Sequence, residues 1–291
     1  MALMKEEENH EEMQELMNPL CWFLEETHLI KGEEEQESKL EMSSDSSLQN
    51  LEAGLEEILG YKFNDKSLIR EALTHPSFYY PVKLGSYERL EFIGDAVLNL
   101  LVAKKLFFAY PELCPGPLTR LRAANVDNEK LARVAIKHGL HQFLRHKASP
   151  HLEEQVQEFK EAIVEYPVHS NGLIDTPKFL ADIVESTIGA IYVDSNCSVD
   201  TVWKVFKELL KPIISLQTMG IHPVTELLEL CQKKGQVVRF VKDSWKENAC
   251  IDVYVDDILV GSANYGLKKE IAQNRAAKAA LAHLKGNLSK T

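Results

Sequence analysis

Glu88, Glu91 and Asp95 stand at i, i+3 and i+7 within Tyr-Glu-Arg-Leu-Glu-Phe-Ile-Gly-Asp-Ala-Val-Leu, residues 87–98. On a helix their carboxylates share one face, while Leu90, Val97 and Leu98 fall mainly on the other side, where they can pack. Gly94, in the same stretch, is a weak helix former that costs about 1 kcal/mol relative to Ala. Three carboxylates on one stripe repel one another unless something positive sits between them, and hard oxygen ligands suit divalent cations such as magnesium. A solvated acidic helix face is the plain alternative. A second pair, Asp182 and Glu185, sits at i, i+3 within Pro-Lys-Phe-Leu-Ala-Asp-Ile-Val-Glu-Ser-Thr-Ile-Gly-Ala-Ile-Tyr-Val-Asp, residues 177–194. Ile183, Ile188 and Ile191 lie on other faces of that helix and read as core.

The first stretch resembles the ribonuclease III signature Glu-Arg-Leu-Glu-Phe-Leu-Gly-Asp, with Ile93 as a conservative change. The second is similar to that family's Leu-Ala-Asp-x-x-Glu-Ala-x-x-Gly-Ala run, with Ser186 in place of Ala. The resemblance implies that Glu91, Asp95, Asp182 and Glu185 are catalytic, metal-binding carboxylates, with magnesium as the ion and manganese as an alternative. Two ions about 3.5–4 Å apart would clamp the attacking and leaving oxygens of a phosphodiester. It also implies that Glu88 supports a dimer interface and that Phe92 is an apolar knob inserted into a partner subunit. Lys178, one helical turn before Asp182, is expected to approach the scissile phosphate. His75, in Thr-His-Pro-Ser (74–77), reads as a base or as a packing residue. The Glu-Gly-x-Leu-Ser/Thr element of bacterial members appears as Pro115-Gly116-Pro117-Leu118-Thr119, without its acid. That variant resembles plant and Dicer-like relatives.

The net charge of -11 argues against a polyanionic partner only until it is apportioned. Residues 1–50 hold 14 acids against three lysines, so the other 241 residues balance; residues 221–291 carry 11 basic and 8 acidic side chains. The acidic stretch reads as a largely disordered tail in which only Met13–Leu29 has a helical pattern. It is expected to be passive, the alternatives being a solubilising or protein-contact segment or a competitor with RNA for basic surface. The scattered cysteines Cys21, Cys114, Cys197, Cys231 and Cys250 form no zinc spacing and read as reduced thiols. With no basic leader at the N-terminus and no uninterrupted apolar run of spanning length, the expectation is an intracellular protein of the nucleus or cytoplasm, away from membranes.

The chain is long enough for two domains. Helical periodicity from Leu51 to about Ile214 predicts short helices in 51–63 and 67–78, then helices over Tyr87–Ala109, Leu118–Val126, Asn128–His138, Pro177–Asp194 and Thr201–Ile214. Residues 147–176 read as a loop or partly helical insertion. After Gly220 and Pro223 come a helix over Thr225–Lys234, strands over Val237–Val241, Ala249–Val255 and Ile258–Ala263, and a helix over Lys268–Leu284. The expected fold is therefore multidomain. An acidic tail (1–50) precedes an all-α ribonuclease III domain (51–218), which is followed by an α-β-β-β-α double-stranded-RNA-binding domain (219–291).

In relatives of the last module the first helix touches RNA 2′-hydroxyls, which implicates Thr225, Glu229 and Gln232. Lys268, Lys269 and Arg275 on the last helix would then follow a phosphate track. The Lys-Lys-x-Ala-Lys element of those relatives stands here as Lys269-Glu270-Ile271-Ala272-Gln273, so a protein-contact role for the module is an alternative. The whole resemblance implies a homodimeric double-stranded-RNA endoribonuclease that leaves 5′-phosphates, 3′-hydroxyls and short 3′ overhangs. A non-cleaving RNA-binding protein that keeps the same fold is the rival, against which retention of four carboxylates tells.

Overall fold

A helix that is apolar nearly all round has to lie inside a protein, and Lys178–Asp194 meets that requirement. In the computed structural model, which describes residues 45–78, 85–147, 150–243 and 245–288, every residue from Phe179 to Ile191 is buried. In chain order the helices around it are α1 (Asp45–Leu59), α2 (Lys66–Ala72), α3 (Glu88–Ala109), α4 (Pro115–Val126), α5 (Asn128–Lys137) and α6 (His151–Ala162), with Lys178–Asp194 as α7 and Val199–Leu209 as α8. Helix α7 packs most extensively on α3, then on α5, α2 and α8. Side-chain caps start several of these helices: Asp65, Asp127 and Ser198 accept from the backbone N–H groups of Ser67, Lys130 and Thr201.

The α3–α7 crossing is unusually close. A Cβ at Gly94 would lie 1.8 Å from the carbonyl oxygen of Glu185, and one at Gly189 would lie 2.1 Å from that of Leu90. Each glycine therefore lets one backbone rest on the other. Ser186, which replaces the expected alanine, donates from Oγ to the carbonyl of Ala72 at 2.8 Å and ties α2 to α7.

The second module begins with α9 (Pro223–Lys233), whose end is a Schellman motif. Gly235 sits at φ +67, Gly235 N donates to Gln232 O, and Gln236 N donates to Cys231 O. Strands β1 (Val238–Val241), β2 (Cys250–Val255) and β3 (Ile258–Asn264) form an antiparallel sheet in the order β1-β2-β3. Strand β2 alternates half-buried and buried residues, and Asp256 and Asp257, both at positive φ, turn it into β3. The sheet is covered by the final helix, which spans Lys269–Leu288. Gly261 allows that helix to touch β3, because a Cβ there would lie 2.6 Å from the carbonyl of Ala276.

The expected architecture is present, with three local corrections. Residues 45–50 form the first turns of α1 rather than an irregular tail, whereas residues 1–44, with the expected helix around Met13–Leu29, lie outside the described residues. Helix α6 lies within 147–176, in keeping with the partly helical alternative read there, and Leu152 and Phe159, seven apart, give it a buried face. Helix α8 stops at Leu209 instead of Ile214, since Pro212 lacks the N–H that a continuing helix needs. The next residues are held by side chains instead: Lys130 Nζ donates to Leu210 O and Pro212 O, and Asn125 exchanges two hydrogen bonds with Ile214. Trp245–Asn248 forms a helical turn, α10, in an expected loop, which makes Lys269–Leu288 α11. No helix among the described residues is long and apolar enough to cross a membrane.

Replacing a helical glycine by alanine ordinarily favours the helix by about 1 kcal/mol. At Gly94 and Gly189 the added methyl meets backbone, which cannot swing aside. Each Gly→Ala change is expected to destabilise the fold by about 1–3 kcal/mol, measured as a fall in the urea midpoint. An unchanged midpoint would mean that the helices separate freely.

Candidate active site

Helices α3 and α7 bring Glu91, Asp182 and Glu185 together, with one carboxylate oxygen from each lying within 4.8 Å of the others. Glu91 is half-buried, and Asp182 and Glu185 are buried. Asp95, one turn beyond Glu91, lies outside this trio. It is exposed, and its Oδ1 accepts from Asn99 Nδ2 at 2.8 Å, which turns it along its own helix. Its charge is nonetheless felt by Glu185. Burial pushes the Glu185 carboxyl up to about 8, helped by the charges of Asp95, Asp182 and Glu91. Burial also raises Asp182, against the opposing hydrogen bond from Lys178.

The positive group beside these acids is Lys178, the first residue of α7. Its ammonium bridges Glu91 Oε1, at 2.6 Å, and Asp182 Oδ1. Burial alone would lower its pKa, but the hydrogen bonds to Asp182 and Glu91 hold it above the ordinary lysine range. In this arrangement Lys178 faces carboxylates rather than an open phosphate path, and one ammonium does not balance three clustered acids with Asp95 nearby. Hard oxygen donors, converging and short of positive charge, fit a divalent cation.

Two expected residues stand outside the cluster. Glu88 accepts from Ser86 Oγ at 2.8 Å. Phe92 is 80% exposed, and with exposed Leu100 and Phe107 it recurs along one side of α3. His75 is half-buried, its ring edge-on to those of Tyr87 and Phe179, and its Nδ1 accepts from the backbone N–H of Ser77. Burial, first, and the nearby His146 lower its pKa, and its contacts with Ser77, Tyr87 and Phe179 give it a packing role. Tyr87 was missed at the sequence level. Its hydroxyl donates to Asp182 Oδ2 at 3.1 Å, and its place just before the acidic motif was the available signal.

In the second module Thr225, Glu229 and Gln232 are exposed on α9, on the side away from buried Leu227 and Cys231. Lys269 lies over the Trp245 ring at 5.9 Å. The other two cations are engaged elsewhere. Lys268 pairs with Asp175 at 2.5 Å, and Arg275 Nε donates to Leu173 O at 2.9 Å while its guanidinium lies over the Tyr265 ring. Asn274 donates to Gly172 O, which completes a polar seam between α11 and the 172–175 segment. Nothing in the spacing of Asp175 foretold that it faces Lys268. Among the described residues Cys114, Cys197, Cys231 and Cys250 are free thiols.

The ribonuclease III domain family matches residues 88–196, and the double-stranded RNA binding motif matches residues 223–284. Ribonuclease 3-like protein 3 of Oryza sativa subsp. japonica is 59% identical over 240 residues, covering 82% of this chain and 80% of that protein. The chain belongs to the ribonuclease III family. It is thus a ribonuclease III-type endonuclease with a double-stranded RNA binding motif behind its helical domain. Ribonuclease 3-like protein 2 of Arabidopsis thaliana is 45% identical over 82% of this chain and 61% of its own length. Endoribonuclease Dicer homolog 1 of Arabidopsis thaliana is 46% identical over 80% of this chain, which spans only 12% of that protein. The solved nuclease domain of ribonuclease III from Campylobacter jejuni, 29% identical, covers 55% of this chain and 96% of its own, with a TM-score of 0.44.

The ribonuclease III acids impose a pH signature on folding. With its carboxyl raised to about 8, folded Glu185 holds a proton that the unfolded chain has released above the ordinary value of 4.5. The folded state binds more protons across that window, so stability falls as pH rises through it. Glu185→Gln is expected to raise the thermal midpoint of the metal-free protein at pH 8 more than at pH 5. Equal shifts at both pH values would contradict the charge conflict at this position.

Proposed function

We propose that this chain is a divalent-metal-dependent endoribonuclease that hydrolyses double-stranded RNA to 5′-phosphate and 3′-hydroxyl ends with short 3′ overhangs. The observation that carries this reading is the convergence of Glu91, Asp182 and Glu185 at the α3–α7 crossing. These three hold the cation, and Asp95 joins them by giving up its bond to Asn99. Magnesium, with manganese as an alternative, supplies the Lewis-acid charge neutralisation that phosphodiester hydrolysis needs. Glu91 and Asp182 then release the Lys178 ammonium, which becomes free to face a phosphate oxygen.

The catalytic module of this reading is 51–218 and the RNA-binding module 219–291. Two copies associate through the exposed apolar side of α3 that carries Phe92, with Glu88 in support, so that two sites act on opposite strands. RNA processing in the nucleus or cytoplasm is the setting. End-labelled duplex RNA incubated with and without magnesium tests the activity. Asp182→Asn and Glu185→Gln are expected to cut at least about 100-fold more slowly than wild type, and Asp95→Asn decides whether Asp95 joins the site. Wild-type rates in the first two variants would end this reading.

Thr225, Glu229 and Gln232 face the minor groove, and Lys268, Lys269 and Arg275 the phosphates. Lys268 already pairs with the Asp175 carboxylate, so RNA has to exchange one anion for another. Asp175→Asn is expected to tighten duplex binding, whereas Lys268→Ala weakens it and reduces the slope of log affinity against log salt by about 1. Filter binding across a salt series measures both, and an unaltered slope in Lys268→Ala would remove that lysine from the phosphate track.

A further inference from the structure

We propose that Tyr87 is a positioning residue for the acidic site, holding one oxygen of Asp182 so that the other faces the cation position. The inference rests on Asp182 being a cation ligand, as read above. The Tyr87 hydroxyl donates to Asp182 Oδ2 at 3.1 Å, and Oδ1 takes the Lys178 ammonium. The two oxygens of one buried carboxylate are thus divided between a fixed donor and the mobile end of a lysine. A lysine can leave when a cation arrives. A phenol on a packed ring stays.

That residue is held by its surroundings. Tyr87 is 3% exposed. Its backbone N–H donates to Thr74 O at 2.9 Å, and its ring and that of His75 pack edge to face with centres 5.8 Å apart. His75 is in turn set by Ser77, whose Oγ lies 2.9 Å from its Nδ1, and by the Phe179 ring. The Thr-His-Pro-Ser motif thereby builds the wall that orients Tyr87. A purely structural residue at this position would need only the ring. The hydroxyl meets a carboxylate of the site, and it satisfies a buried oxygen that would otherwise cost about 1–3 kcal/mol.

Tyr87→Phe keeps the ring and removes only the hydroxyl. The full-length protein, free of RNA, is titrated with Mn2+ and the free ion is followed by electron paramagnetic resonance. Phe at this position is expected to weaken Mn2+ binding by 10–100-fold, the loss typical when a partner of a metal ligand is removed. Cleavage measured alongside should need correspondingly more metal yet reach a similar maximal rate, and Tyr87→Phe should add nothing on an Asp182→Asn background. A lower thermal midpoint with wild-type Mn2+ affinity in Tyr87→Phe would overturn the proposal and leave the cation reading intact. Wild-type Mn2+ affinity in Asp182→Asn would instead overturn the cation reading, and the role of Tyr87 with it.

Discussion

The backbones of α3 and α7 meet where Gly94 faces Glu185 and Gly189 faces Leu90, and that contact sets the reach of every acid in the site. Helices separated by ordinary side chains stand about 8–10 Å apart. At this crossing the backbones touch, and one carboxylate oxygen from each of Glu91, Asp182 and Glu185 lies within 4.8 Å of the others. Glycine costs helix stability, but here it brings Glu91 within range of Asp182 and Glu185. The apolar burial of α7 on all sides supplies the opposing stabilisation, since its residues from Phe179 to Ile191 leave water.

Close approach creates an electrostatic conflict as well as a site. Burial and neighbouring charge both disfavour ionised Glu185, while Lys178 pairs with Glu91 and Asp182 and Tyr87 donates to Asp182. The division of labour follows from stiffness. Lys178 reaches in on a flexible stem with its side chain 61% exposed, whereas Tyr87 is fixed by packing. One group neutralises, and the other orients.

The RNA-binding module repeats the same device at a smaller scale, with Gly261 admitting the α11 backbone against β3. Its cations, however, are shared. Lys268 and Arg275 serve the seam with the 172–175 segment, while Thr225, Glu229 and Gln232 remain open to solvent. The module thus has one helix face open to solvent, while Lys268 and Arg275 are paired within the chain.

The two acidic motifs, most of the helices and strands and the core role of Ile183, Ile188 and Ile191 were legible in the sequence, because spacing on a helix and apolar periodicity are local properties. So was the α-β-β-β-α pattern of the second module, from the alternation in β2 and the small residues of α11. Pro212 marked the end of α8 locally, but the hold of Lys130 and Asn125 on the residues beyond it was not legible, since those contacts come from far along the chain. What the sequence by itself determined is which residues carry charge and on which helical face they lie. Only the tertiary structure decided that Asp95 turns to Asn99 while Glu91 meets Asp182 and Glu185, that Lys178 bridges acids, that Tyr87 belongs to the site and that Lys268 faces Asp175. Those choices depend on distances between elements remote in sequence, and such distances are set by how closely backbones pack.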